Sequence, residues 1–224
     1  MNFDFGYMLR VFPLIFNYIP ITLLLAVISM IFACLLGLVI ALARQSNLPG
    51  VKQLAIVYIS LFRAMPTLVL LFIIYYGLPQ LFPSLSGLNA MVAAIIGLSL
   101  KEASFLAEIF RAGLDSVDEG QLEAGLAVGI SRFKIFTHIV LPQAALNALP
   151  GTGNTFVSLI KQTSLAFTLG VTELFAEGKM IASASLKFFE TYLAIGLTYW
   201  MLVIIYSWLQ SYLEKWLGKP LRRA

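Results

Sequence analysis

The sequence predicts an all-α integral membrane protein with about five transmembrane helices. Three observations carry this: the composition, the length of the apolar stretches and the placement of the basic residues. Of 224 residues, 60% are hydrophobic and only 12% charged, whereas a soluble domain is about half apolar and about a quarter charged. That much apolar surface cannot be hidden in one water-soluble core of this size, so lipid has to be its solvent.

The elements follow in order. Apolar stretches at residues 18–43, 54–76, 88–114, 142–162 and 192–213 are each long enough to cross a bilayer core as a helix of about 20 residues. The N-terminus lacks a basic region, and its first apolar run is too long for a signal-peptide core, so that run reads as a retained span. Residues 77–87 form an uncharged segment rich in turn residues between the second and third spans. Residues 163–191, between the fourth and fifth, are partly polar and read as partly helical. The chain, residues 1–224, reads as a single membrane domain, with residues 116–142 a loop inside it.

Fifteen Lys and Arg residues set the orientation. Placing the first inter-span loop in the cytoplasm collects Arg44, Lys52, Arg63, Arg111, Arg132, Lys134, Lys215, Lys219, Arg222 and Arg223 inside. Arg10, Lys179 and Lys187 remain outside, and Lys101 and Lys161 fall within spans. This bias predicts an outside N-terminus and a cytoplasmic C-terminus in the cell membrane, and an odd number of spans agrees with termini on opposite sides. Trp200, Trp208 and Trp216 mark the last span and its inner flank as lipid-anchored.

The loop at residues 116–142 is the least lipid-like part of the middle of the chain. Asp118, Glu119 and Gln121 open a short helix with acidic residues at its positive end. Gly120, Ala124 and Ala127 recur at helical spacing and leave a shallow face, and Gly129 suits a left-handed helix end. Ser131 can cap a second short helix through Thr137, and Pro142 suits the first turn of the fourth span. The physics alone is equally consistent with a solvated connection and with a compact knob that carries movement from a soluble partner into the membrane.

Glu123-Ala124-Gly125, then Gly129, then Ile139-Val140-Leu141-Pro142 resemble the EAA loop of ABC-importer permeases. That pattern is Glu-Ala-Ala, three residues, Gly, nine residues, then Ile-x-Leu-Pro. The spacing agrees throughout, and Gly125 replaces the second alanine. Ala107-Glu108-Ile109-Phe110-Arg111-Ala112-Gly113, Leu141-Pro142-Gln143-Ala144, the run from Asn154 to Leu165 and Val171-Thr172-Glu173-Leu174 resemble the polar amino acid uptake subfamily, nearly along the whole chain. Phe62-Arg63-Ala64-Met65-Pro66 is similar to its Phe-Arg-Gly-Thr-Pro, with two substitutions.

The resemblance implies a type I importer permease fold and a second permease subunit, identical or related. It implies ABC ATPase subunits, two of them, that bind ATP and Mg, and an extracytoplasmic amino acid-binding protein. Glu123, Ala124, Gly125 and Gly129 would then mark the helix that docks on the ATPase.

Ionisable groups within a span cost about 2.5–3.5 kcal/mol at its centre and need partners or a wet cavity. Lys101, Ser104, Phe105 and Glu108 share a helical face of the third span, with Glu102 beside Lys101. Asn154, Ser158 and Lys161 share one on the fourth, with Gln162 at its end. One reading is a mid-membrane amino acid site in which Lys101 meets the carboxylate, Glu102 the ammonium, and Asn154 and Ser158 supply neutral hydrogen bonds. The other is an ion-pair and hydrogen-bond network that locks helices together. Lys101-Glu102 departs from the small or amide residues of the subfamily and points to a ligand of both signs, cystine among them. Glu108 reads as a structural partner of Arg111. Arg63, beside Pro66 near the inner end of its span, reads as a headgroup anchor or part of an inner gate.

Other classes fare worse. An ion-driven secondary transporter would favour internal repeats, and none is seen. A channel or membrane anchor would not need these blocks in this order. No Ser–His, paired-Asp or His–Glu constellation suggests an intramembrane enzyme. Gly178-Lys179 and Gly218-Lys219 lack the rest of a phosphate loop, so any ATP is expected on another subunit. Cys34 is the only cysteine and His138 the only histidine, so no metal site is expected; scattered basic residues make nucleic acid an unexpected partner.

Overall fold

The computed structural model describes residues 3–217, and every described segment of regular structure is helical. Lys219, Arg222 and Arg223, three of the basic residues assigned to the cytoplasm, lie outside the described residues. A short helix α1 (Phe5–Phe16) precedes the long α2 (Ile19–Gln45). Next come α3 (Pro49–Ala64), α4 (Thr67–Phe72) and α5 (Leu78–Leu81), then the long α6 (Ala90–Asp115). A loop carries α7 (Glu119–Ala127) and α8 (Arg132–Ile135). The chain continues through α9 (Leu141–Gln162), α10 (Leu174–Ser185) and α11 (Phe188–Leu217).

By length and apolarity α2, α6 and α11 can each cross a membrane, and the bent pair formed by α3 with residues 67–81 can count as a fourth span. The second predicted span is therefore not one straight helix. It breaks by 107° at Met65-Pro66, because Pro66 cannot donate to the carbonyl of Phe62 and pushes Met65 into an extended conformation. The fourth predicted span is a helix, α9, but Asn147, Thr152, Asn154, Thr155 and Ser158 make it too polar to pass by composition. Its length agrees with the expectation; its polar face needs protein or water rather than lipid.

Packing fixes the directions of these helices. Gly37 of α2 faces α6 so closely that a Cβ there would sit 2.9 Å from Leu106 Cβ, and Ser99 Oγ donates to the Ser29 carbonyl at 3.2 Å. These pairings rise together in number, so α2 and α6 run parallel. α9 runs back along α6: a Cβ on Gly113 would lie 2.7 Å from the Ala144 carbonyl oxygen, while Gln162 reaches Glu102. A 3₁₀ segment, Thr163–Leu169, then carries the chain on to the cluster of Leu25, Leu71 and Ala93. α11 returns beside α9, with Phe156 packed on Tyr206. Small residues at these crossings let backbones approach where lipid supplies no hydrophobic drive.

α1 does not span. Met8, Val11 and Ile15 pack against Leu174, Ala194 and Ile195 of α10 and α11. Among the described residues each π turn stands just before a proline: Ile73–Gly77 before Pro79, and Phe136–Val140 before Pro142. Widening the helix gives carbonyls that a proline would orphan a donor one residue further on. As a result α8, the π turn and α9 form one unbroken helical rod from Arg132 to Gln162.

Candidate functional site

The break in α3–α4 creates the first feature of the site. With Pro66 lacking its N–H, the last carbonyls of α3 have no helical partners. Lys101 Nζ, from the middle of α6, donates to the carbonyls of Phe62 at 2.9 Å, Arg63 at 3.1 Å and Met65 at 2.6 Å. The ammonium also suits the negative end of a helix dipole. The same three bonds tie the Arg63 end of α3 to the middle of α6.

Glu102, 2% exposed, faces the other way. Its Oε1 accepts from Gln162 Nε2 at 2.6 Å. Gln162 Nε2 also donates to Ser158 Oγ at 3.1 Å, and its Oε1 accepts from Thr67 Oγ1 at 2.9 Å. One amide thus ties α4, α6 and α9 around a cavity of about 490 Å³ walled by Arg63, Lys101, Glu102, Asn154, Ser158 and Gln162. Ligand pockets run from about 300 to 1,000 Å³, so an amino acid fits.

Two expected residues are elsewhere. Ser104 is fully buried and donates to the carbonyl of Lys101 in its own helix. Lys161 is exposed and is not part of the cavity wall. The inward stripe on α9 follows Asn154, Ser158, Gln162 at i, i+4, i+8, which turns position 161 away. Lys101 and Glu102 make no ion pair with each other among the described residues. Arg63 and Thr67 line the cavity without having been expected there; Pro66 beside them was the available signal.

At the far end of α6, Glu108 pairs with Arg111, as the spacing predicted, at 3.1 Å. It also pairs with Arg44 at the end of α2. Arg111 continues to Asp115 at 2.5 Å.

The loop forms a compact knob. Asp118 caps α7 by accepting from Gly120 N at 2.7 Å. The helix closes with Ile130 N donating to the Gly125 carbonyl and Gly129 N to that of Leu126, both at 3.0 Å. Gly129 sits at φ +81°, the left-handed position this closure needs. Gly125 is buried, and a Cβ there would lie 2.7 Å from Ile135 Cδ1. Its replacement of the second alanine is therefore a packing choice that seats α8 on α7. Gln121 and Gln143 exchange reciprocal amide hydrogen bonds of 3.1 and 2.6 Å, joining α7 to the start of α9. Glu123 and Ala124 are exposed, and Val128 and Phe133 are each 75% exposed. Ser131 caps α8, with Lys134 N at 3.4 Å, but the helix does not stop at Thr137.

A third centre escaped the sequence reading. Glu173 is fully buried and caps α10, accepting from Ala176 N at 2.8 Å. It also accepts from Tyr199 OH at 2.9 Å and Thr22 Oγ1 at 3.3 Å, linking α2, α10 and α11.

Comparison with known proteins agrees with this architecture. Residues 33–219 match the family described as binding-protein-dependent transport system inner membrane component. The chain is 58% identical over 219 residues to the probable amino-acid permease protein YxeN of Bacillus subtilis, covering 98% of both chains. It is 40% identical to the L-cystine transport system permease protein TcyL of the same organism, covering 92% of this chain and 88% of that one. A solved amino acid ABC transporter superposes with a TM-score of 0.86 at 33% identity, covering 96% of this chain and 99% of that one. An exposed knob at one end of a helical rod, and a polar cavity walled by the other end of that rod, are thus set in a known frame: the chain belongs to the family of inner membrane components of binding-protein-dependent transport systems.

Proposed function

We propose that this chain is the permease subunit of an ATP-driven importer that brings a polar amino acid into the cytoplasm by alternating access. The observation that carries the reading is the rod from Arg132 to Gln162. Its first turns are part of the exposed knob, and its last turn holds Gln162 in the cavity. Movement of a partner seated on Glu123, Val128 and Phe133 would be delivered to the cavity wall along one continuous helical path. Ala124, Gly125 and Gly129 shape that seat.

The partners proposed are two ATPase subunits that bind ATP and Mg, a second permease subunit, and an amino acid-binding protein outside. The N-terminus lies outside and the C-terminus in the cytoplasm. The cavity offers Glu102, Asn154, Ser158 and Gln162 to the polar groups of an amino acid. Cystine is the first substrate to try, because a relative at 40% identity is named an L-cystine permease.

The test is uptake into liposomes by the permease reconstituted with its ATPase and binding protein, across a panel of labelled amino acids that includes L-cystine. ATP-dependent uptake that is abolished by Glu123→Arg is expected. Uptake indifferent to ATP and unaffected by that substitution would return the knob to a solvated loop and favour an ion-driven carrier.

A further inference from the structure

Four ionisable side chains line the cavity: Arg63, Lys101, Glu102 and Glu108. Two of them are committed. Lys101 directs its ammonium at three carbonyls, and an ammonium has only three N–H groups to give. Glu108 is engaged by Arg44 and Arg111. Arg63 and Glu102 are left, one of each sign. Among the described residues the Arg63 guanidinium makes no ion pair and no hydrogen bond; it lies over the Phe105 ring, 5.4 Å from the centroid. Glu102 accepts one hydrogen bond from the neutral Gln162 and pairs with no cation among the described residues.

Glu102 is a buried carboxylate with no cation in ion-pair range among the described residues, which is costly. Arg63, which is exposed, holds a guanidinium without an anionic partner on the same cavity wall. A zwitterion supplies both missing partners. The guanidinium presents a planar fork of donors that matches the two oxygens of a carboxylate, and stacking on an aromatic face holds its plane without using those donors. We infer that Arg63 takes the α-carboxylate of the transported amino acid and Glu102 its α-ammonium. Lys101 is a positioning residue: it ties the end of α3, and Arg63 with it, to the cavity wall. This assignment rests on the reading of the cavity as a substrate site. It restricts the cargo to molecules with a free carboxylate and a free ammonium on one carbon, and leaves side-chain choice to Asn154, Ser158 and the neighbouring walls.

The experiment measures equilibrium binding to the purified permease–ATPase complex in lipid nanodiscs, without the binding protein. Radiolabelled proteinogenic amino acids and L-cystine are the probes, each compared with its α-carboxamide, which removes the carboxylate charge alone. Co-purification of the ATPase checks that each variant is folded. Wild type is expected to prefer the acid over the carboxamide by about tenfold or more. Arg63→Gln should bring that ratio close to one, and Arg63→Lys should keep part of it. Lys101→Gln should weaken both probes alike and leave the ratio standing. A ratio that survives Arg63→Gln but collapses in Lys101→Gln overturns the assignment while leaving the cavity as the site. If wild type binds no probe, the substrate-site reading fails and the assignment fails with it.

Discussion

Ile135 fills the space in which residue 125 would carry a side chain: a Cβ on Gly125 would lie 2.7 Å from Cδ1 and 2.8 Å from Cγ1 of Ile135. Gly125→Ala restores the alanine of the related pattern and gains up to about 1 kcal/mol of helix propensity. It also overpacks a buried contact, at about 1–3 kcal/mol. The expected net effect is a loosened knob, seen as reduced co-purification with the ATPase. Adding Ile135→Val should restore part of that binding. A Gly125→Ala chain that binds the ATPase normally would show that α8 has another seat on α7.

Gly129 raises a separate question, that of backbone shape. At φ +81°, an L side chain costs about 1–2 kcal/mol. Gly129→Ala should lower transport-coupled ATP hydrolysis with the cavity intact, so that amino acid binding is unchanged. Gly129→Asn, which tolerates this conformation better, should be milder.

Glu173 should be the most sensitive single position for stability outside the cavity. Glu173→Ala removes the cap of α10, worth about 0.5–2 kcal/mol. It also strands the hydroxyl of Tyr199, at about 1–3 kcal/mol for a buried group left unpaired, while Thr22 Oγ1 keeps the bond it accepts from Leu174 N. A lower Tm in detergent is expected. Glu173→Gln keeps an accepting oxygen for Ala176 N and an amide that two hydroxyls can bond, so its loss should be smaller.

Acid should release the N-terminal helix, but only well below neutral pH. The Lys187 ammonium, hydrogen-bonded to Asp4, holds that exposed carboxyl below its ordinary range, and the Tyr7 N–H adds to the effect. A carboxyl lowered in the folded state stabilises above its ordinary pKa and loses that contribution as pH falls through the lowered value. A spin-label pair joining α1 to α11 should report a constant distance between pH 7 and pH 5. Broadening is expected only below about pH 4, the ordinary range of Asp. Lys187→Gln should move the onset upward.

What the sequence made legible was what an apolar run or a local pattern can encode. The α2 and α6 spans are long apolar stretches whose limits appear in the composition itself. The Asp118 and Gly129 ends of α7 are marked by residues whose local chemistry suits those positions. The break at Met65-Pro66 was hidden because a proline within an apolar stretch can equally mean a mild kink. What settles it is a lysine on another helix. For the same reason Lys101 looked free: its acceptors are backbone carbonyls, which no side-chain spacing reveals. Arg63 was not expected on the cavity wall because its tie to α6 runs through its own backbone carbonyl. Lys161 was drawn into the stripe on α9 by the i+7 step, one residue short of the i+8 step that the helix uses.

The clamp between Lys101 and the end of α3 also constrains how the protein can be made. The three carbonyls leave the ribosome 36–39 residues ahead of the lysine that covers them. Until α6 arrives, the α3–α4 pair has open polar backbone at the depth where lipid tolerates it least, and α6 arriving alone brings an uncovered ammonium. Each segment is a poor lodger in the bilayer without the other. The insertion machinery therefore has to retain the first pair in a sheltered, partly hydrated place and release it together with α6, so that the folding unit in the membrane is this hairpin of segments and not the single helix.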